Sequence, residues 1–258
     1  MITERFDIPG PHGRLQAILQ LPDGFDRTRD RCTVVILMHG IMPNPVTIPL
    51  PHFARALVGA GYAALRFFFY GNWGSDGTNE QNTVPGEIED ARAVYRLVRS
   101  WHFAEKVVLL GHSQGGVVAS MLAGMLQQEA SPAPPDALIL LSPGAVLKDY
   151  AREGRLFGLR IDPENPPERK RVLWYTIGRD YVLTAQTLPI YETAALYTGP
   201  VCICHGTVDH IVPFRYSERY AEGYADCRLT PVPGANHFYS FRRRRVDALL
   251  LAFLRARL

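Results

Sequence analysis

Short apolar runs alternate along the chain with stretches of helical spacing. Cys32-Thr33-Val34-Val35-Ile36-Leu37-Met38 is a near-continuous apolar run, the pattern of a strand buried on both faces. Tyr62–Tyr70, Val107–Leu110, Asp136–Leu141, Val201–His205 and Arg228–Val232 read as further strands. Between them lie helical stripes: Phe53, Ala54, Leu57 and Val58, then Ile88, Ala91, Val94, Tyr95 and Val98. The second stripe is preceded by acidic residues in its first turn, as a helix prefers. Arg215–Tyr224 and Val246–Arg255 complete the series, and residues 2–8 and 14–21 form an opening hairpin around Pro9–Gly13. Strands that alternate with helices predict an α/β fold, a mainly parallel sheet flanked by helices, with its site at the carboxyl ends of the strands.

The alternation breaks between Gly144 and Thr198. That segment holds helical fragments at Val146–Glu153 and Tyr181–Leu188, a polar stretch from Asp162 to Arg171, and the rings Tyr150, Phe157, Trp174, Tyr175 and Tyr181. It reads as an inserted cap or lid, 144–198, on a core made of 1–143 and 199–258. The chemistry sits elsewhere. Between the run ending at Leu110 and a small-residue helical pattern stands Gly111-His112-Ser113-Gln114-Gly115. A serine on a turn this tight needs small residues two before and two after it. Its exposed hydroxyl becomes a nucleophile, and the next N–H, that of Gln114, can hold an oxyanion.

Two further polar residues follow at strand ends in the order such a site requires, acid and then base. Asp209 comes just after Val201–His205, and His237 after Arg228–Val232. The loop after the first buried strand, rich in proline at positions 43, 45, 49 and 51, supplies a second oxyanion N–H at Ile41. Ser75, flanked by Gly74 and Gly77, lacks the elbow spacing and any following helix. Asp180 and Asp226 are weaker acids because neither closes an apolar run. His39, His112, His205 and His210 read as structural.

With 258 residues, 47% hydrophobic and 21% charged, the chain can bury a sizeable core. A formal charge of +3 gives no argument for nucleic acid, and the Arg242–Arg245 run reads as a solvated helix start. No apolar stretch is long enough to span a membrane, and the N-terminus lacks a signal core. Four cysteines show neither a disulfide framework nor metal-ligand spacing, so no metal and no cofactor are expected and the cytoplasm is the expected location. The expected partner is a small molecule, with no nucleic acid and no membrane, and a homodimer is left open.

From Val34 to the last helix the sequence resembles the α/β-hydrolases, and among them the cinnamoyl and feruloyl esterases. The resemblance rests on the elbow from Gly111 to Gly124, Leu141-Ser142-Pro143, Asp162-Pro163-Glu164-Asn165, the segment Tyr181–Glu192, His205-Gly206-Thr207-x-Asp209, and Gly234-Ala235-x-His237. It implies an α/β-hydrolase fold with Ser113, Asp209 and His237 as triad, Ile41 and Gln114 N–H groups as oxyanion hole, and Tyr181 as the reader of a phenolic hydroxyl on the acyl group. Tyr150, with Asp149 beside it, falls where that family usually has an acidic helper. Trp73 replaces a glycine and is counted with Tyr181 and Tyr150 as a substrate contact; a phenylalanine, Phe68, stands where the family usually has aspartate. The expected activity is serine ester hydrolysis through an acyl-enzyme, on aromatic or medium apolar acyl groups. A thioesterase or acyltransferase would use the same triad, and a non-catalytic binding protein on this fold would usually show a broken one.

Overall fold

The structure, a computed structural model, describes residues 1–43, 49–129, 131–156 and 158–258. Pro45 of the proline-rich loop and the ring of Phe157 fall outside the described residues. The opening hairpin is β1 (Ile2–Pro9) and β2 (Arg14–Leu21), followed by β3 (Cys32–Met38), α1 (Leu50–Gly59), β4 (Ala63–Phe67) and α2 (Val84–Ser100). Then come β5 (Ala104–His112), α3 (Gln114–Gln127) and β6 (Ala137–Leu141). The excursion after β6 contains α4 (Val146–Arg152), β7 (Arg155–Leu156), β8 (Leu159–Arg160), β9 (Arg169–Val172), β10 (Tyr175–Gly178), α5 (Arg179–Thr187) and α6 (Ile190–Ala194). The chain closes with β11 (Val201–Gly206), α7 (Arg215–Gly223), β12 (Cys227–Val232) and α8 (Arg243–Arg257).

Eight strands form one sheet in the order β1-β2-β4-β3-β5-β6-β11-β12. From β4 to β12 every neighbouring pair is parallel; β1 and β2 form an antiparallel edge. Apolar runs without alternation are explained by burial on both faces. In β3, Val34, Ile36 and Met38 pack on the face covered by α2, α3 and α7, while Val35 and Leu37 pack under α1 and α8. β5 divides the same way, Val107 and Leu109 against Val108 and Leu110. Cys202 and Cys204 are buried on the α1 and α8 side, their sulfurs 4.0 Å apart, and both are free.

Two expectations are corrected here. The strand expected over Tyr62–Tyr70 ends at Phe67. Side chains take over the next amides: Phe69 N–H donates to His39 Nε2 and Tyr70 N–H to Asp90 Oδ2, which turns the chain out of the sheet. The excursion after β6 also holds two small antiparallel hairpins, β7–β8 and β9–β10, which its sequence pattern does not announce. Arg169, Lys170 and Arg171 of β9 are all exposed, so that strand shows no alternation of apolar and polar positions. Among the described residues, no helix is long and apolar enough to cross a membrane.

Candidate active site

Ser113 sits between β5 and α3 with φ 56° and ψ −123°, a left-handed conformation that costs a non-glycine residue of order 1–3 kcal/mol. The neighbouring glycines are obligatory. A Cβ on Gly111 would lie 2.1 Å from the Gly115 carbonyl oxygen, and one on Gly115 would lie 2.4 Å from that of Met38. The turn is pinned from the sheet side as well, because Ser113 N–H donates to the Leu141 carbonyl at 2.9 Å. The Ser113 carbonyl in turn accepts from Gly144 N–H at 2.8 Å, so the excursion after β6 begins in contact with the elbow.

On the far side of β6, Asp209 and His237 are brought together by the loops after β11 and β12. His237 Nδ1 donates to Asp209 Oδ2 at 2.7 Å. His205 Nε2 lies 3.3 Å from the same oxygen and donates to the Val212 carbonyl at 2.9 Å, while its Nδ1 accepts from Ser217 Oγ. Asp209 Oδ1 accepts from the N–H groups of Ile211 and Val212, both at 2.9 Å. Burial opposes ionisation of this carboxyl, but the donors from His205 and His237 prevail and hold it far below the usual carboxylate range.

His112 joins the two halves. Burial pushes it down to about 3, so it is neutral, and its Nε2–H donates to the His237 carbonyl at 2.8 Å. The two imidazoles lie 4.8 Å apart, centre to centre. Among the described residues, His237 Nε2 makes no hydrogen bond, to Ser113 included; such contacts often close only when substrate arrives. His39 is neutral too, pushed down by burial to about 4; its Nδ1–H donates to the Gly40 carbonyl, next to Ile41. Gly40 keeps the space beside Ser113 open, since a Cβ there would lie 3.3 Å from Ser113 Oγ.

A cavity of about 490 Å³ opens on Ser113 and Gln114. Ile41, Val146, Leu147, Leu156, Ile211 and Val212 make most of it apolar, with Tyr150, Tyr181, Arg155 and His210 as its polar members. Of the expected substrate contacts, Tyr181 and Tyr150 line it. Trp73 does not. Its indole donates to the Pro43 carbonyl, and it borders a separate cavity with Asn72, Trp174 and Tyr175. Asp149 also turns away, accepting from Tyr216 Oη at 2.6 Å.

The rejected alternatives have other partners. Ser75 Oγ donates to the Phe68 carbonyl and accepts from Gln16 N–H, and Asp226 pairs with Arg257. Sequence reasoning missed Glu87. Buried in the first turn of α2, it accepts from Gln114 Nε2 at 2.9 Å, and Gln114 Oε1 accepts from Tyr181 Oη at 2.7 Å. The signal was present: position 87 lies three after Val84 and four before Ala91, on the apolar stripe of the helix. Among the described residues, no group of three or more His, Cys, Asp or Glu is placed to hold a metal ion.

A family model described as serine aminopeptidase, S33 (Hydrolase_4) matches residues 29–163. Est1E from Butyrivibrio proteoclasticus, solved with ferulic acid bound, is 30% identical with a TM-score of 0.89, covering 98% of each chain. An α/β serine hydrolase homologue from Coxiella burnetii shares the fold at 22% identity and TM-score 0.67, covering 98% of this chain and 97% of that one. Human protein ABHD12B is 25% identical over 194 residues, 75% of this chain. The match spans 50% of that curated relative's own length.

Proposed function

The chain belongs to the serine aminopeptidase S33 family of α/β-hydrolases, and from that premise we propose that it is a carboxylic-ester hydrolase for aromatic or medium apolar acyl groups. The observations that carry this reading are the His237–Asp209 hydrogen bond in the loops after β11 and β12 and a strained Ser113 that opens on a largely apolar cavity. Because Nδ1 of His237 is committed to Asp209, Nε2 is the nitrogen that takes the Ser113 proton. Ser113 Oγ then attacks the ester carbonyl. The oxyanion is received by the N–H groups of Ile41 and of Gln114, the first residue of α3, where amides lack an intrahelical acceptor. His237 returns the proton to the leaving alcohol, and water repeats the sequence on the acyl-enzyme.

The cavity volume lies within the range of small-molecule sites. The chain's likeness to Est1E, which was solved with ferulic acid, supports a hydroxycinnamoyl group as the acyl part. Tyr181 Oη spends its proton on Gln114, so toward a substrate phenol it acts as acceptor. Tyr181→Phe should therefore lower kcat/KM for methyl 4-hydroxycinnamate more than for methyl cinnamate, by an extra ~0.5–1.5 kcal/mol, the net value of one hydrogen bond. A loss common to both esters reports Gln114 Oε1 left unpaired. Equal losses would assign the hydroxyl to Gln114 alone.

The test of the whole reading is a hydrolysis screen over acetate, butyrate, octanoate and cinnamate esters and acyl-thioesters. Turnover of cinnamate or octanoate above acetate is expected. Turnover of thioesters alone would replace the esterase with a thioesterase on the same triad, and no turnover with an unlabelled serine would leave a binding protein.

A further inference from the structure

We propose that Glu87 is a positioning residue for the esterase reaction: through the Gln114 side chain it fixes both the oxyanion-binding residue and the Tyr181 wall of the acyl cavity. This rests on the ester-hydrolase reading of Ser113. Glu87, Gln114 and Tyr181 are each 1–2% exposed, and they form an unbroken chain of two hydrogen bonds from α2 through α3 to α5. Gln114 is thus held at both ends of its amide. In the arrangement observed, the amide oxygen faces the Tyr181 hydroxyl and the amide nitrogen faces the Glu87 carboxyl. The backbone N–H of the same residue is the proposed oxyanion donor.

A neutral glutamine would serve as such an anchor without any ionisation to manage. Glu87 behaves much as one at neutral pH. Burial pushes it up to about 8, against the donors from Gln114 and Asn82, with the nearby Asp90 adding to the rise. The groups that face it are Asp90 on its own helix, Tyr181 and Asp180 of α5, and Tyr175 of β10. Tyr70 and His12 complete the set across the polar cavity that Glu87 also lines. Burial lifts Asp90 only to about 6, and it lifts the Tyr175 and Tyr181 hydroxyls far above the usual tyrosine range. Of the two carboxyls that burial lifts here, Glu87 is raised further. Its ionisation places a negative charge behind the residue that receives the oxyanion, where low dielectric strengthens the repulsion.

The experiment uses the full chain, wild type and two variants, Glu87→Gln and Glu87→Leu, with a 4-nitrophenyl ester between pH 6 and 9.5. Thermal melts and fluorophosphonate labelling of Ser113 are measured alongside. Wild-type kcat should fall about tenfold as pH rises through 8, an electrostatic loss smaller than deletion of an oxyanion donor. Glu87→Gln should keep wild-type kcat at pH 7 within about threefold and lose that fall, because it retains an acceptor and cannot ionise. Glu87→Leu should lower kcat at least about tenfold with KM little changed, the signature of lost transition-state stabilisation. An alkaline fall retained by Glu87→Gln overturns the proposal, and this decides the matter even where Glu87→Leu does not fold. A folded Glu87→Leu with wild-type kcat overturns it as well. In both those cases a labelled Ser113 leaves the hydrolase reading standing. A wild type that is neither labelled nor active on any ester removes that reading and the role of Glu87 with it.

Discussion

Replacing Ser113 with alanine should lower kcat by about 10⁴–10⁶ while leaving the melting temperature at or above that of the wild type. The loss follows from chemistry, since no other hydroxyl in the cavity has the elbow behind it. Tyr150 and Tyr181 lack a paired base, and Ser75 is bound at both ends to the Phe68 carbonyl and Gln16 N–H. Stability should not suffer, because alanine keeps the Cβ and makes no use of the hydroxyl. Mass spectrometry after fluorophosphonate treatment is expected to find the adduct on Ser113. An adduct elsewhere, or a variant that turns over normally, refutes the assignment.

Asp209→Asn is expected to cost about 10⁴ in kcat near neutral pH, with the fold retained. The local hydrogen bonds dictate how the amide must sit. The N–H groups of Ile211 and Val212 require an acceptor, so the asparagine oxygen takes the place of Oδ1. Its NH₂ group then faces His237 Nδ1 and His205 Nε2. His237 responds by carrying its proton on Nε2, the nitrogen that must be free to receive the one from Ser113. His205 cannot adapt as easily, because its Nε2–H is also held by the Val212 carbonyl. Normal rates in this variant, measured with the same ester at pH 7, would transfer the acid's role to another carboxylate.

The sheet was legible because β3, β6, β11 and the Val107–Leu110 stretch of β5 are buried on both faces and are almost wholly apolar. The elbow was legible because sterics restrict Gly111 and Gly115 to one residue type. Glu87 was not, since an acid in a first turn has a sufficient explanation in the helix dipole, and only its place on the apolar stripe says otherwise. Trp73 was misplaced for a related reason. A tryptophan in a loop carries no sign of which way its ring turns, and here the Pro43 carbonyl holds it outside the cavity of Ser113. The hairpins of the excursion escaped because strands two to four residues long, three of the four largely open to solvent, are too short to show a pattern.

The parallel register of the central strands acts as a ruler for the chemistry. His112 on β5, Leu141 on β6 and Cys204 on β11 stand in one row across the sheet. Ser113 lies one residue past that row, just after β5, and Asp209 five past it, in the loop that follows β11. A slip of one residue between β5 and β11 would shift Ser113 and Asp209 relative to each other by roughly 3.3 Å along the strands, and would turn each strand's faces over. The relative placing of the Ser113 and Asp209 turns is thus set by the buried strands that precede them, and His237 is tied to that frame through its hydrogen bond to Asp209. If Ser113, Asp209 and His237 act together as proposed, fraying of the β1–β2 edge is expected to leave their spacing intact, whereas opening of the central strands is expected to abolish it.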